Sequence, residues 1–278
     1  MAGSNRSERV LILASFVNRV GNGLFNTAAA LYFTLVVDLP AAQVGAALTV
    51  AGLIGLLAGI PGGHLADRRG PRTVMMLALA VQAVAMSALV LVESWAALTV
   101  VATLDQLAAA VSGAAWGALV VRVGTDRPAL FRSRLRTYVN LGVVLGTVGA
   151  GFAVAANTRT AYVVLILGNA ASFALCALLL FLLPAYQALA APPQQRCWSA
   201  LSDRPFVTFT VLHGAMGLQY PVVSLLLPIW ISEHTDAPRW TVAVSAINAA
   251  VCRRARTRTL GYAEPTFLPT GCSGCRPA

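Results

Sequence analysis

Long apolar runs, broken at intervals by short polar or charged stretches, dominate this chain. A helix needs about 20 predominantly apolar residues to cross the hydrocarbon core of a bilayer. Seven runs reach that length, at residues 10–37, 44–66, 73–92, 97–121, 138–156, 161–183 and 206–231. An eighth, 239–251, starts in the same way and stops short. The first run does not read as a cleavable leader: it is too long, it contains Asn18, Arg19, Asn22 and Asn26, and further spans follow it. The longest connection, 185–205, carries Pro192-Pro193 and reads as a flexible cytoplasmic linker. The pattern predicts four parts: a six-helix transmembrane bundle over 1–184, the linker over 185–205, the start of a second bundle over 206–251, and an irregular tail over 252–278.

Composition narrows the class. Of 278 residues 58% are apolar and 11% charged, against about 25% charged in an ordinary soluble domain. Mean hydropathy is +0.73. Too few polar groups are present to cover a soluble fold of this size, and disordered chains are polar and highly charged. Five cysteines in 278 residues are too sparse for a disulfide scaffold. The expectation is an all-α polytopic membrane protein whose first partner is the lipid bilayer.

The charge then fixes an orientation. Twenty basic residues, all Arg, against ten acidic ones give a net charge of +10. In a soluble protein that excess would point to nucleic acid. Here the arginines fall in alternate loops: Arg6 and Arg9 before the first span, Arg68, Arg69 and Arg72 after the second, Arg122 to Arg136 after the fourth, Arg196 and Arg204 after the sixth. The other loops hold only Arg159 and Arg239, plus Asp38, Glu93, Glu233 and Asp236. Positive charge marks cytoplasmic loops, so the reading is a multi-pass plasma-membrane protein with a cytoplasmic N-terminus and no nucleic-acid partner.

The sharpest motif is Gly63-His64-Leu65-Ala66-Asp67-Arg68-Arg69-Gly70-Pro71-Arg72, between the second and third spans. Gly70 permits a tight turn, Pro71 suits the first turn of a helix, and Asp67 can complement a helix N-terminus or pair with Arg. A plain charged hairpin is the bland alternative. In this motif the sequence resembles the major facilitator superfamily of secondary transporters, whose signature lies between the same helices. Its first basic residue maps to Arg68 and its last to Arg72. The resemblance covers residues 8–251, and the stretch 126–141, with clustered arginines before Asn140-Leu141-Gly142, looks like bacterial drug-efflux members. It implies that Gly63, Asp67, Arg68, Gly70 and Arg72 form a conformational latch, and that intact relatives move small drug-like or amphipathic molecules by alternating access, driven by protons. Three departures stand out. Gly113-Ala114-Ala115-Trp116-Gly117 supplies no Arg where the family often has one in helix 4. No Gly-Pro pair occurs in helix 5. Seven spans and a fraction stand where the family has twelve, so a truncated or frame-shifted, non-transporting remnant is the alternative, and a functional short chain would call for a homodimer.

Ionisable residues inside a span are expensive and default to functional candidates. Arg19 lies about 15 Å along helix 1 and Asp105 about 12 Å from the outer end of helix 4, so both are expected near mid-bilayer, facing a common cavity. Asn18, Asn22 and Asn26 recur every four residues on one face of helix 1, with Tyr32 further along; this stripe reads as a path for substrate and protons, or as interhelical hydrogen bonding. Trp116, Tyr138 and Phe173 are candidate aromatics of an apolar pocket, with lipid contact or packing as the alternative. Gly55, Gly59 and Gly63 on helix 2, and Gly142 and Gly146 on helix 5, form small-residue ladders for close helix approach. No metal site, cofactor or ATP-binding loop is expected: His64 and Asp67 are too few for a metal, Cys272 and Cys275 form one isolated Cys-x-x-Cys, and the scattered His64, His213 and His234 do not make an enzyme centre.

Overall fold

The computed structural model describes residues 2–124, 127–156, 158–184, 186 and 203–217. Every regular element among them is helical: α1 Ala2–Leu35, α2 Ala41–Arg69, α3 Pro71–Ala88 with a 3₁₀ turn Leu89–Leu91, α4 Trp95–Val123, α5 Pro128–Ala156, α6 Arg159–Leu180 and α7 Arg204–Gly217. The chain divides into two compact units, Met1–Ser199 and Ala200–Ala278. The first holds α1–α6; in the second only α7, the start of the seventh expected span, is described. The rest of that span, the eighth and the tail lie outside the described residues, as does nearly all of the 185–205 linker.

Local chemistry sets the boundaries. Ser94 caps α4 by accepting a hydrogen bond from Ala97 N at 3.3 Å, and Thr158 caps α6 by accepting from Ala161 N at 3.2 Å. Pro71 opens α3 where its missing N–H costs nothing. One boundary corrects the sequence reading. Helix α5 starts at Pro128, ten residues before the expected start at 138, so Arg132, Arg134 and Arg136 lie on a helix and not in a loop. The low apolar content of those first turns masked them.

Helices α2, α4, α5 and α6, and α3 with its 3₁₀ turn, are long and apolar enough to cross a membrane. Helix α1 is longer, but Asn18, Arg19, Asn22 and Asn26 interrupt its apolar run. Lipid as solvent is written into α2. Its small residues Ala51, Gly55, Gly62 and Ala66 are buried, while Leu56 and Leu57 stand 75% and 74% exposed. A water-soluble helix buries its leucines; here small side chains face the neighbouring helix and large ones face outward, as in membrane bundles.

Packing follows a repeat. Helix α2 packs along α4 as α5 packs along α1; α3 packs on α4 as α6 packs on α1; α3 and α6 meet each other. Exchanging α1–α3 for α4–α6 leaves this scheme unchanged. Because three helices is an odd number, the two copies run in opposite senses through the bilayer, which is an inverted-topology repeat.

Candidate functional site: polar groups inside the bundle

The α2–α3 hairpin is fixed by backbone geometry at one end and a cation at the other. Gly70 has φ +86° and ψ 134°, a conformation that favours glycine, and a Cβ there would lie 2.8 Å from the Tyr186 carbonyl oxygen. Two residues on, Arg72 Nη2 donates to the Phe181 carbonyl at 3.1 Å, and its guanidinium sits 5.8 Å from the centre of the Phe181 ring. Phe181 directly follows α6, where carbonyls lack intrahelical donors and carry partial negative charge. Arg72 thus ties the hairpin to the end of α6. Asp67, Arg68 and Arg69 are exposed, and Gly63 faces open space. Of the five motif residues, Gly70 and Arg72 make contacts within the first unit.

Asp105 has a partner that sequence spacing did not reveal. No ion pair joins it to Arg19, whose Cβ instead approaches α5 at Gly142. The Gln82 side chain of α3 is the polar neighbour of the Asp105 carboxylate. Gln82 is buried, and its Oε1 accepts from Ser112 Oγ at 3.1 Å. The result is an Asp105–Gln82–Ser112 network between α3 and α4. Asp105 Oδ1 is buried and has no partner. Asp105 and Ser112 lie two turns apart on α4, but Gln82 belongs to α3, and only the α3–α4 register brings it to them.

On α1, Asn22 Nδ2 donates to Asn18 Oδ1 at 3.1 Å, so these two share a face as their spacing predicts. Asn26 is exposed. Tyr32, expected to extend this stripe, belongs to the core: it is 2% exposed, meets the Phe33 ring edge-on and the Tyr162 ring at a tilt, and its hydroxyl donates to the Val90 carbonyl at 3.4 Å. One turn before Asn18, Ser15 Oγ accepts from Trp116 Nε1 at 3.1 Å, joining α1 to α4. The three candidate aromatics separate. Phe173 is core, Tyr138 is exposed, and Trp116 lines a cavity of about 480 Å³ between α4 and α5, together with Arg132, Arg136, Val139 and Asn140.

The glycine ladders sort by contact. A Cβ on Gly142 would lie 2.8 Å from the Phe16 carbonyl oxygen; one on Gly146 would collide with the Val20 carbonyl and lie 2.9 Å from Gly23 Cα. On α2 a Cβ on Gly55 would lie 2.9 Å from Gln106 Cβ. Gly59, expected on the same interface, faces open space; the second close contact belongs to Gly62, where a Cβ would lie 2.8 Å from Val111 Cα. The interval is seven residues, two full turns, and a four-residue ladder overshoots it. Sequence reasoning also missed Gly21 and Gly23, which let α1 approach α6 and α5.

A bundle of spanning helices in an inverted repeat, with a carboxylate and an amide pair within it and an open pocket between α4 and α5, has the architecture of a membrane carrier. The family model of the Major Facilitator Superfamily matches residues 11–255, and the chain belongs to that superfamily. Its fold is similar to the crystal structure of the nucleoside transporter NupG, with TM-score 0.64 and 15% identity over 92% of this chain and 67% of that one. For a point mutant of the same transporter the values are 0.61 and 16% over 81% and 55%. The chain therefore spans between 55% and 67% of these transporters' length. No curated protein sequence matches it.

Proposed function

We propose that this chain forms the first bundle of a proton-coupled secondary carrier that exports small amphipathic molecules across the plasma membrane by alternating access. The observation that carries the coupling is Asp105: a carboxylate within a membrane-spanning helix, with Gln82 as its polar neighbour and with Oδ1 buried and unbonded. Charge inside a bilayer is expensive unless it is matched. Taking up a proton removes that charge, so the loaded and unloaded states of Asp105 differ in what they demand of α3 and α4. A carrier needs a difference of this kind between its two conformations. The glycine contacts of α1 with α5 and of α2 with α4 supply smooth, closely apposed surfaces around the same interior. In this reading Gly63, Asp67, Arg68, Gly70 and Arg72 form the conformational latch: Gly70 and Arg72 hold the hairpin in shape, and Asp67 and Arg68 are exposed. The N-terminus and the basic loops face the cytoplasm.

The similar nucleoside transporter NupG acts on nucleosides, which are uncharged. The cavity beside Trp116 carries two arginines, which favours a different cargo. The test is reconstitution of the full chain in liposomes with an imposed pH gradient and an amphipathic dye as cargo. Uptake should follow the gradient, and Asp105→Asn should abolish that dependence while leaving insertion intact. Gradient-dependent uptake that survives Asp105→Asn would overturn the role of Asp105; no uptake by the intact chain would favour the non-transporting alternative.

A further inference from the structure

The cavity between α4 and α5 has a directional chemistry. Counting from the start of α5 at Pro128, Arg132 lies about 6 Å along the helix, Arg136 about 12 Å and Asn140 about 18 Å, at 1.5 Å per residue. These three residues sit one turn apart, so they share a face, and all three line the same space. Opposite them stands Trp116. Its indole N–H is taken up by Ser15, so it offers the cavity apolar ring surface, continued by Leu135 and Val139. Among the described residues no carboxylate lines the cavity. The volume, about 480 Å³, falls within the range of about 300–1,000 Å³ typical of small-molecule sites.

Two cations are not demanded by the repeat. The counterpart of the start of α5 is the start of α2, and residues 41–50 there carry no charge. Arg placement in basic loops accounts for positive charge near this end of the bundle, but it does not place an indole, two guanidinium groups and a carboxamide around one cavity. Through the Trp116–Ser15 bond the cavity also adjoins α1 one turn before the Asn18–Asn22 pair.

We infer that the α4–α5 cavity binds an amphipathic aromatic anion, its negative group held by Arg132 and Arg136 and its flat apolar body lying against Trp116. Guanidinium forks pair with carboxylate, sulfonate or phosphate oxygens, and the apolar wall supplies the burial term. This inference deepens the transport reading by naming its cargo class, and rests on that reading for the cavity's role as a cargo site; binding stands independently of transport.

The test separates the two. The full chain is placed in phosphatidylcholine nanodiscs, and naphthalene-2-sulfonate binding is measured by equilibrium dialysis. Saturable binding is expected at one site per chain. Naphthalene-2-methylammonium, with the same rings and the opposite charge, should bind at least about tenfold more weakly, as loss of one charge-assisted contact implies. Arg132→Gln with Arg136→Gln should remove the preference for the anion, and Arg132→Lys with Arg136→Lys, which keeps the charge, should retain it and shows that the fold survives change at these positions. Equal binding of anion and cation, or an unchanged preference in the glutamine variant, would overturn the inference. So would displacement of the sulfonate by phosphatidylglycerol added to the nanodisc, because the site would then belong to a lipid headgroup. Specific binding without gradient-driven uptake would leave this inference standing and remove the transport reading.

Discussion

Replacing Gly146 by Ala adds one methyl group where the backbones of α1 and α5 lie against each other. That methyl would collide with the Val20 carbonyl of α1 and lie 2.9 Å from Gly23 Cα. Both are backbone atoms, so no rotamer change relieves the contact and α1 must move away from α5. Overpacking of this kind costs about 1–3 kcal/mol, with rigid backbone at the upper end. Alanine's greater helix propensity returns about 1 kcal/mol. The net expectation is about 2 kcal/mol of destabilisation. Gly59→Ala is the matched control. It lies on a ladder that looks equivalent in sequence, but a Cβ there meets nothing within 4 Å. It should be neutral, or stabilising by up to about 1 kcal/mol. The assay is the midpoint of thermal loss of the monodisperse peak of purified full chain in detergent, for both variants side by side. Gly146→Ala should lower it by several degrees and Gly59→Ala should not. Equal midpoints, or the opposite order, would refute the α1–α5 contact described here.

Further outcomes follow from the same geometry. Gly70→Ala places a side chain at φ +86°, a strain of about 1–3 kcal/mol, and a Cβ 2.8 Å from the Tyr186 carbonyl oxygen; the same thermal assay should show a loss, and an unchanged midpoint would mean the hairpin turns differently. Gln82→Leu removes the polar neighbour of Asp105 and the side-chain acceptor of Ser112, and should cost about 1–3 kcal/mol, the penalty for a buried polar group left unbonded. Ser112→Ala should cost less, because it removes a donor rather than isolating the carboxylate. Should the two variants prove equally costly, the network is not organised around Asp105.

Fold class was legible in this sequence because the membrane imposes a simple rule: every backbone polar group must be satisfied within its own helix, and about 20 residues are needed to cross. The runs that became α2 to α6 are therefore countable by eye. The start of α5 was not, since Arg132, Arg134 and Arg136 look like loop residues until the helix is seen to carry them past the apolar segment. The α2–α3 hairpin motif announced itself through Gly70 and Pro71, whose backbone constraints are local. What Arg72 touches was hidden, because Phe181 is 109 residues away. Interior chemistry divides in the same way. Asn18 and Asn22 lie on one helix, so their bond follows from periodicity. Asp105 and Gln82 lie on two helices, and their meeting depends on the register of α3 against α4. Depth along a helix says nothing about direction around its axis, and Arg19 lies at the α1–α5 contact, with no ion pair to Asp105. Gly59 and Gly62 make the same point, since spacing alone does not say which ladder faces the neighbour.

The central claim is that lipid is the solvent for α1 to α6 and that successive connections lie on opposite sides of the membrane. Side-specific labelling tests it most directly. In a cysteine-free version of the full chain, single cysteines replace Asp38, Arg68, Glu93 or Arg134, and intact cells are exposed to a membrane-impermeant maleimide. The account predicts that the Asp38→Cys and Glu93→Cys chains react in intact cells, and that the Arg68→Cys and Arg134→Cys chains react only after permeabilisation. Labelling of all four without permeabilisation, or any pattern that fails to alternate from one connection to the next, would contradict it.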